Sequence, residues 1–125
     1  MELPKDLHYS KEHTWVRIEN KTATVGITAF AQKELGEIVY VDLPNVNHNF
    51  NQDEVFGSVE AIKTVSDLFM PLSGKIIETN EHLLKEPTLV NSNPFDNGWM
   101  VKIEIEDLIE TENLLTAEQY AQLNN

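Results

Sequence analysis

The sequence predicts a mainly β fold, built from antiparallel strands with a few short helices. Short runs rich in β-branched and aromatic residues recur along it, among them TWVRI at 14–18, TATVGI at 22–27 and VSDLFM at 65–70. These runs are joined by brief turns rather than by long helices, which favours antiparallel β over a doubly wound sheet. In addition, Trp99, Val101, Ile103 and Ile105 alternate with Met100, Lys102, Glu104 and Glu106, the period of a half-buried strand. About seven or eight strands and two to four short helices are expected.

Residues 1–11 read as an extended lead-in. Strands are predicted over 14–18 and 22–27, with a tight turn at Asn20-Lys21. Thr28 is placed to cap a helix over 29–35, and Gly36 to stop it. Residues 37–43 alternate so that Val39, Val41 and Leu43 share a face, giving a strand that Pro44 ends. Residues 45–53 form a polar loop. Strands are predicted over 54–62 and 65–70 and, after a turn at Ser73-Gly74, over 75–79. Asn80 caps a helical turn over 81–84, and 91–98 is a loop dense in Asn, Pro, Asp and Gly. After the alternating strand, 107–113 is acidic and partly helical. TAEQ at 116–119 is a capping box that starts a last helix.

The length of 125 residues fits one domain over 1–125, with room for one modest core. The balance of 21 acidic against 9 basic residues leaves a net charge of −12. Such a surface repels nucleic acid and anionic membranes and suits basic patches on protein partners. The chain has no cysteine, which excludes disulfides, thiol catalysis and cysteine-ligated zinc. No segment is apolar for long enough to span a bilayer. MELPKDLHYS at the start has neither a signal-peptide nor a transit-peptide pattern, so the cytoplasm is the expected compartment. His8, His13, His48 and His82 lack the spacing of a helical metal site, and no P-loop, hydrolase elbow or dinucleotide glycine motif occurs. No metal and no catalytic residue are expected.

The stretch VFGSVEAIKTVSDLFMPLSGKI at 55–76 holds Lys63 between two apolar-rich segments. A lysine amine can form a stable amide with a carboxylic acid and so carry a prosthetic group on a four-carbon stem, which arginine cannot do. Residues 61–65 contain no Gly, Pro, Asn or Asp, so turn chemistry alone does not bend the chain there. From these residues by themselves, one long strand with a surface lysine is the expected structure.

EAIKT at 60–64 resembles the tip of a lipoyl hairpin, with Gly57 six residues before Lys63 and Gly74 eleven after it. The lack of methionine on both sides of Lys63 separates it from biotin carriers. Further matches are LHYS at 7–10, HTWV at 13–16, VGIT at 25–28, LGE at 35–37, VDLP at 41–44, EP at 86–87, LVN at 89–91, PF at 94–95 and GWM at 98–100. Together they resemble the H-protein family of the glycine cleavage system over nearly the whole chain.

That resemblance implies a lipoyl-domain-like flattened barrel or sandwich (a barrel-sandwich hybrid) with short terminal helices. It implies lipoate in amide linkage on Lys63 at a hairpin tip. It implies a non-catalytic shuttle that moves an aminomethyl group from P-protein to T-protein and electrons to L-protein, the dihydrolipoyl dehydrogenase. A lipoate ligase or lipoyltransferase would load it, with Glu60, Gly57 and Gly74 serving recognition and presentation. Glu54 and Asp67 read as solvated acidic surface. His13, Thr14 and Glu34 fall where the family has an arm cleft. Thr14 stands where relatives often have an acid, and Glu34 where some have histidine; Glu12 or Glu34 is placed to compensate. An H-like protein that stores lipoate or relays it to other enzymes is the alternative function.

Overall fold

The computed structural model describes residues 3–124. In chain order the strands are β1 (His8–Tyr9), β2 (Thr14–Glu19), β3 (Thr22–Ile27), β4 (Ile38–Asp42), β5 (Asn49–Phe50), β6 (Val55–Ala61), β7 (Val65–Phe69), β8 (Gly74–Thr79) and β9 (Val101–Ile105). The helices are α1 (Ala29–Leu35), α2 (His82–Lys85), α3 (Leu89–Ser92) and α4 (Ala117–Leu123), with a 3-10 turn over Leu108–Asn113. A six-stranded sheet has the order β1-β2-β3-β9-β8-β5, and a three-stranded sheet the order β4-β6-β7. All the pairings within both sheets are antiparallel. The sheets form a sandwich and do not close into a barrel.

Both sheets contribute to one core, because each has an apolar face to remove from water. Val16, Val25 and Ile103 from the larger sheet cluster with Ile38, Val59 and Leu68 from the smaller. Strand β2 is buried on both sides. Val16 enters that core, while its neighbour Trp15 joins Leu7, Tyr9, Ala117 and Tyr120 in a second cluster. Helix α4 belongs to this second cluster. Its first turn is fixed by a capping box in which Thr116 Oγ1 accepts from Gln119 N–H and Gln119 Oε1 accepts from Thr116 N–H.

Several expectations need correction. Val39 does not share a face with Val41: it is 44% exposed while Ile38 and Val41 are buried. The register shifts between Ile38 and Tyr40, and one irregular step reverses the alternation. The loop over 45–53 contains β5, which pairs Asn49 with Lys75 and Phe50 with Gly74. The loop over 91–98 starts inside α3. Trp99 and Met100 precede β9, so Met100 is fully buried where strict alternation would expose it. Helix α1 keeps its predicted range, with Thr28 Oγ1 accepting from Ala31 N–H and Gly36 at φ 82° ending it. The expected short terminal helices are the 3-10 turn over Leu108–Asn113 and α4, while α1, α2 and α3 lie between strands.

Candidate functional site

Strands β6 and β7 make a hairpin, not the single strand that local composition suggests. Glu60 pairs with Val65, and Ala61 N–H donates to Thr64 C=O at 2.7 Å. Ile62 and Lys63 therefore occupy the tip. The reversal lets Phe56, Val59, Ala61 and Leu68 all enter the core, and that burial outweighs the absence of turn-forming residues. Lys63 is exposed, and its neighbours Ile62 and Val65 are 69% and 60% exposed. Among the described residues Lys63 makes no ion pair.

Glu60 is exposed on β6, next to the tip. Gly57 lies where β6 crosses β4 closely: a Cβ there would collide with the Asp42 carbonyl. Gly74 is similarly tight, since a Cβ would meet the Glu104 carbonyl of β9. Both glycines let neighbouring backbones approach, and at Gly57 this brings the lysine hairpin against β4.

The same hairpin forms one wall of a cavity of about 210 Å³. Glu12 and His13 contribute from the β1–β2 loop, Phe30 and Glu34 from α1, and Ser66 and Asp67 from β7. Ser66 lies three residues beyond Lys63, so their Cα atoms are at most about 11 Å apart. Larger recesses exist elsewhere, including one of about 520 Å³ between α1 and α3. The smaller cavity is the stronger candidate because it holds three carboxylates and a histidine beside the lysine hairpin. Thr14 is not in its wall. It is 1% exposed, with Oγ1 2.6 Å from Ser10 Oγ. A glutamate at position 14 would have to be buried, whereas Glu12 already faces the cavity.

His13 is held from behind. Its backbone is left-handed at φ 69°, and its carbonyl accepts from Thr28 N–H at 3.0 Å. Nδ1 lies 2.7 Å from Tyr120 Oη, which lies 2.7 Å from Thr28 Oγ1. Among the described residues the only acceptor within reach of the Thr28 hydroxyl proton is Tyr120 Oη, because the other partner of Thr28 Oγ1, Ala31 N–H, is a donor. Tyr120 then donates to His13 Nδ1, which leaves the ring proton on Nε2. No buried hydroxyl proton is left without an acceptor in this arrangement. The sequence singled out His13 and capping Thr28, but nothing in it linked either to Tyr120. Likewise Ser66 carried no signal, and Asp67 read as plain surface.

Burial lowers the pKa of His13 below the ordinary histidine value, against opposing attraction from Glu12 and then Glu34. The unfolded chain therefore takes up this proton more readily than the folded one. Stability from the neutral ring is complete above about pH 6.5 and is lost as pH falls through the lower folded-state value. Tyr120→Phe removes the bond to Nδ1 and leaves the Thr28 hydroxyl proton without an acceptor, an expected cost of about 1–3 kcal/mol at pH 7.5. In urea denaturation this loss should shrink as pH falls through the lowered folded-state value of His13, because a protonated ring no longer accepts from Tyr120. A loss that stays constant across that acid range would count against this arrangement.

A family model described as Glycine cleavage H-protein matches residues 7–125. The chain belongs to the glycine cleavage H-protein family. It is 54% identical over 125 residues to the glycine cleavage system H protein of Anoxybacillus flavithermus, covering 100% of this chain and 98% of that one. It is 54% identical over 123 residues to the glycine cleavage system H protein of Staphylococcus epidermidis, covering 98% of each. The crystal structure of the glycine cleavage system H protein from Mycobacterium marinum superposes with a TM-score of 0.91 at 35% identity, covering 98% of each chain. The residues matched by the family model include those of the hairpin, the cavity wall and α4. Among the described residues no helix is long and apolar enough to cross a membrane.

Proposed function

We propose that this chain is the lipoyl-carrying shuttle of glycine cleavage, with lipoate in amide linkage on Lys63. The observation that carries the reading is the place of Lys63: exposed at the tip of a paired hairpin, in a chain of the H-protein family. The residues present fit the group. The amine projects from a turn whose two flanking strands are tied by register, so an attaching enzyme meets the lysine in a defined setting. When bound, lipoate would supply a disulfide whose reductive opening frees two sulfurs, one able to hold a one-carbon amine and the other left as a thiol.

The chain's own residues present and shelter. Exposed Glu60 offers a lipoate ligase or lipoyltransferase a charge beside its target. Gly57 and Gly74 permit the close backbone contacts that hold the hairpin and its neighbouring sheet. Glu12, Glu34 and Asp67 give the cavity a negative field that favours an ammonium group. His13 adds an N–H donor, and the apolar wall of Phe30 and Leu68 limits water. The reading makes the chain a carrier rather than a catalyst, serving P-protein, T-protein and L-protein in the cytoplasm.

The test is glycine–bicarbonate exchange with purified P-protein and the lipoylated chain. Exchange that requires the loaded chain is the expected result. A fully loaded, folded chain that supports no exchange would overturn the shuttle reading and leave a lipoate relay.

A further inference from the structure

The motif LVN at 89–91 is distant from Lys63 in sequence and has no part in the cavity. Yet Asn91 makes three side-chain hydrogen bonds to a single corner of the chain. Its Oδ1 accepts from Ile38 N–H at 2.9 Å. Its Nδ2 donates to Gly36 C=O at 2.8 Å and to Gln32 Oε1 at 2.9 Å. These contacts grip the backbone on both sides of Glu37, immediately after the left-handed Gly36.

Glu37 touches the lysine turn. Its carbonyl accepts from Ile62 N–H at 3.3 Å, and Ile38 pairs with Ala61 across β4 and β6. Ile62 is the residue before Lys63. The bond is long, so its worth depends on where the Glu37 carbonyl is held. The turn itself, Ile62-Lys63-Thr64, has none of the residues that set a turn from within. Its order must come from pairing on its flanks and from this outside contact.

We infer that Asn91 is a positioning residue for the Lys63 turn, holding residues 36–38 so that the Glu37 carbonyl fixes Ile62 N–H and the amine is presented for attachment. The inference rests on lipoylation of Lys63. A turn that is ordered only part of the time lowers apparent affinity for the attaching enzyme by the ordered fraction. It leaves the chemistry on the bound lysine unchanged.

The experiment uses the full chain, wild type beside Asn91→Ala, Asn91→Asp and Val25→Ala. Val25 is fully buried in the core and serves as the control for lost stability. Amide hydrogen exchange is followed by NMR on the unmodified proteins, and lipoylation with purified lipoate ligase, lipoate and ATP. In Asn91→Ala, exchange at Ile62 should rise about tenfold, with Ile103 unchanged. The KM for lipoylation should rise about three- to tenfold with kcat retained. Asn91→Asp keeps the acceptor for Ile38 N–H but loses the donor to Gly36, and should fall between. Val25→Ala should lose stability and leave Ile62 and the lipoylation KM unmoved.

Unchanged Ile62 exchange in Asn91→Ala would overturn the clamp. Faster Ile62 exchange with unchanged lipoylation would overturn the presenting role. A matching rise in lipoylation KM for Val25→Ala would reduce Asn91 to a contributor to stability and overturn the inference. A wild type left unmodified by the ligase would overturn the lipoyl reading, and the presenting role with it, whatever Ile62 does.

Discussion

Lys63→Arg is expected to abolish glycine–bicarbonate exchange while leaving thermal unfolding where it was. Arginine keeps the charge and much of the stem, but its guanidinium does not form the amide that an amine forms. The side chain is exposed and, among the described residues, makes no ion pair. A surface change of this kind alters stability by no more than about 0.5 kcal/mol. The variant therefore separates attachment from folding. Other lysines provide an internal comparison. Lys102 pairs with Glu78 at 3.6 Å and lies 5.0 Å from the Trp99 ring centroid, so it is engaged within its own sheet. Lys21 is a closer mimic, exposed at the β2–β3 turn. If the attaching enzyme reads the Lys63 hairpin and its flanks, Lys21 stays unmodified in the variant. Full exchange by Lys63→Arg would remove Lys63 from the account.

Trp15→Ala is expected to cost about 3–5 kcal/mol, the largest effect on stability of any single truncation considered for this chain. The ring is fully buried and anchors the second cluster. Its Nε1–H donates to Pro94 C=O at 2.8 Å. Arg17 lies 5.2 Å from the ring centroid and donates to Phe95 C=O at 2.9 Å. Removing the indole thus opens a cavity and loosens both the 94–95 segment and the bed of α4. Loss of α4 support should also disturb His13, because Tyr120 reaches it from that helix. Melting should fall by roughly 10–20 °C. A fall equivalent to less than about 1 kcal/mol would show that the second cluster contributes little.

How much of this was legible beforehand depended on how local the cause was. The capped helix after Thr28, the capping box at Thr116 and the alternation of Val101, Ile103 and Ile105 are set by neighbours in sequence, and each was readable. The bulge beside Val39 was not, because it answers to the pairing of β4 with β6. Strand β5 exists through two pairs with β8, and a two-residue strand that begins with Asn49 gives no period to read. The lysine turn marks the boundary most clearly. Residues 61–65 by themselves suggest a straight strand, and only the resemblance to lipoyl hairpins predicted the reversal that burial of Val59 and Leu68 enforces. In the cavity, His13 and Glu34 were singled out, but Ser66 was invisible because it meets Glu12 and His13 only across the folded cavity, and Tyr120, behind it, because its partner His13 lies far away along the chain. Thr14 was expected at the cleft, and its hydroxyl instead bonds Ser10 within the turn.

The most direct measurement is the intact mass of the wild-type chain after incubation with lipoate ligase, lipoate and ATP, followed by peptide mapping. The account predicts a single lipoyl-sized increment, located on the peptide that contains Lys63. An unchanged mass, or an increment on any other lysine, would contradict it.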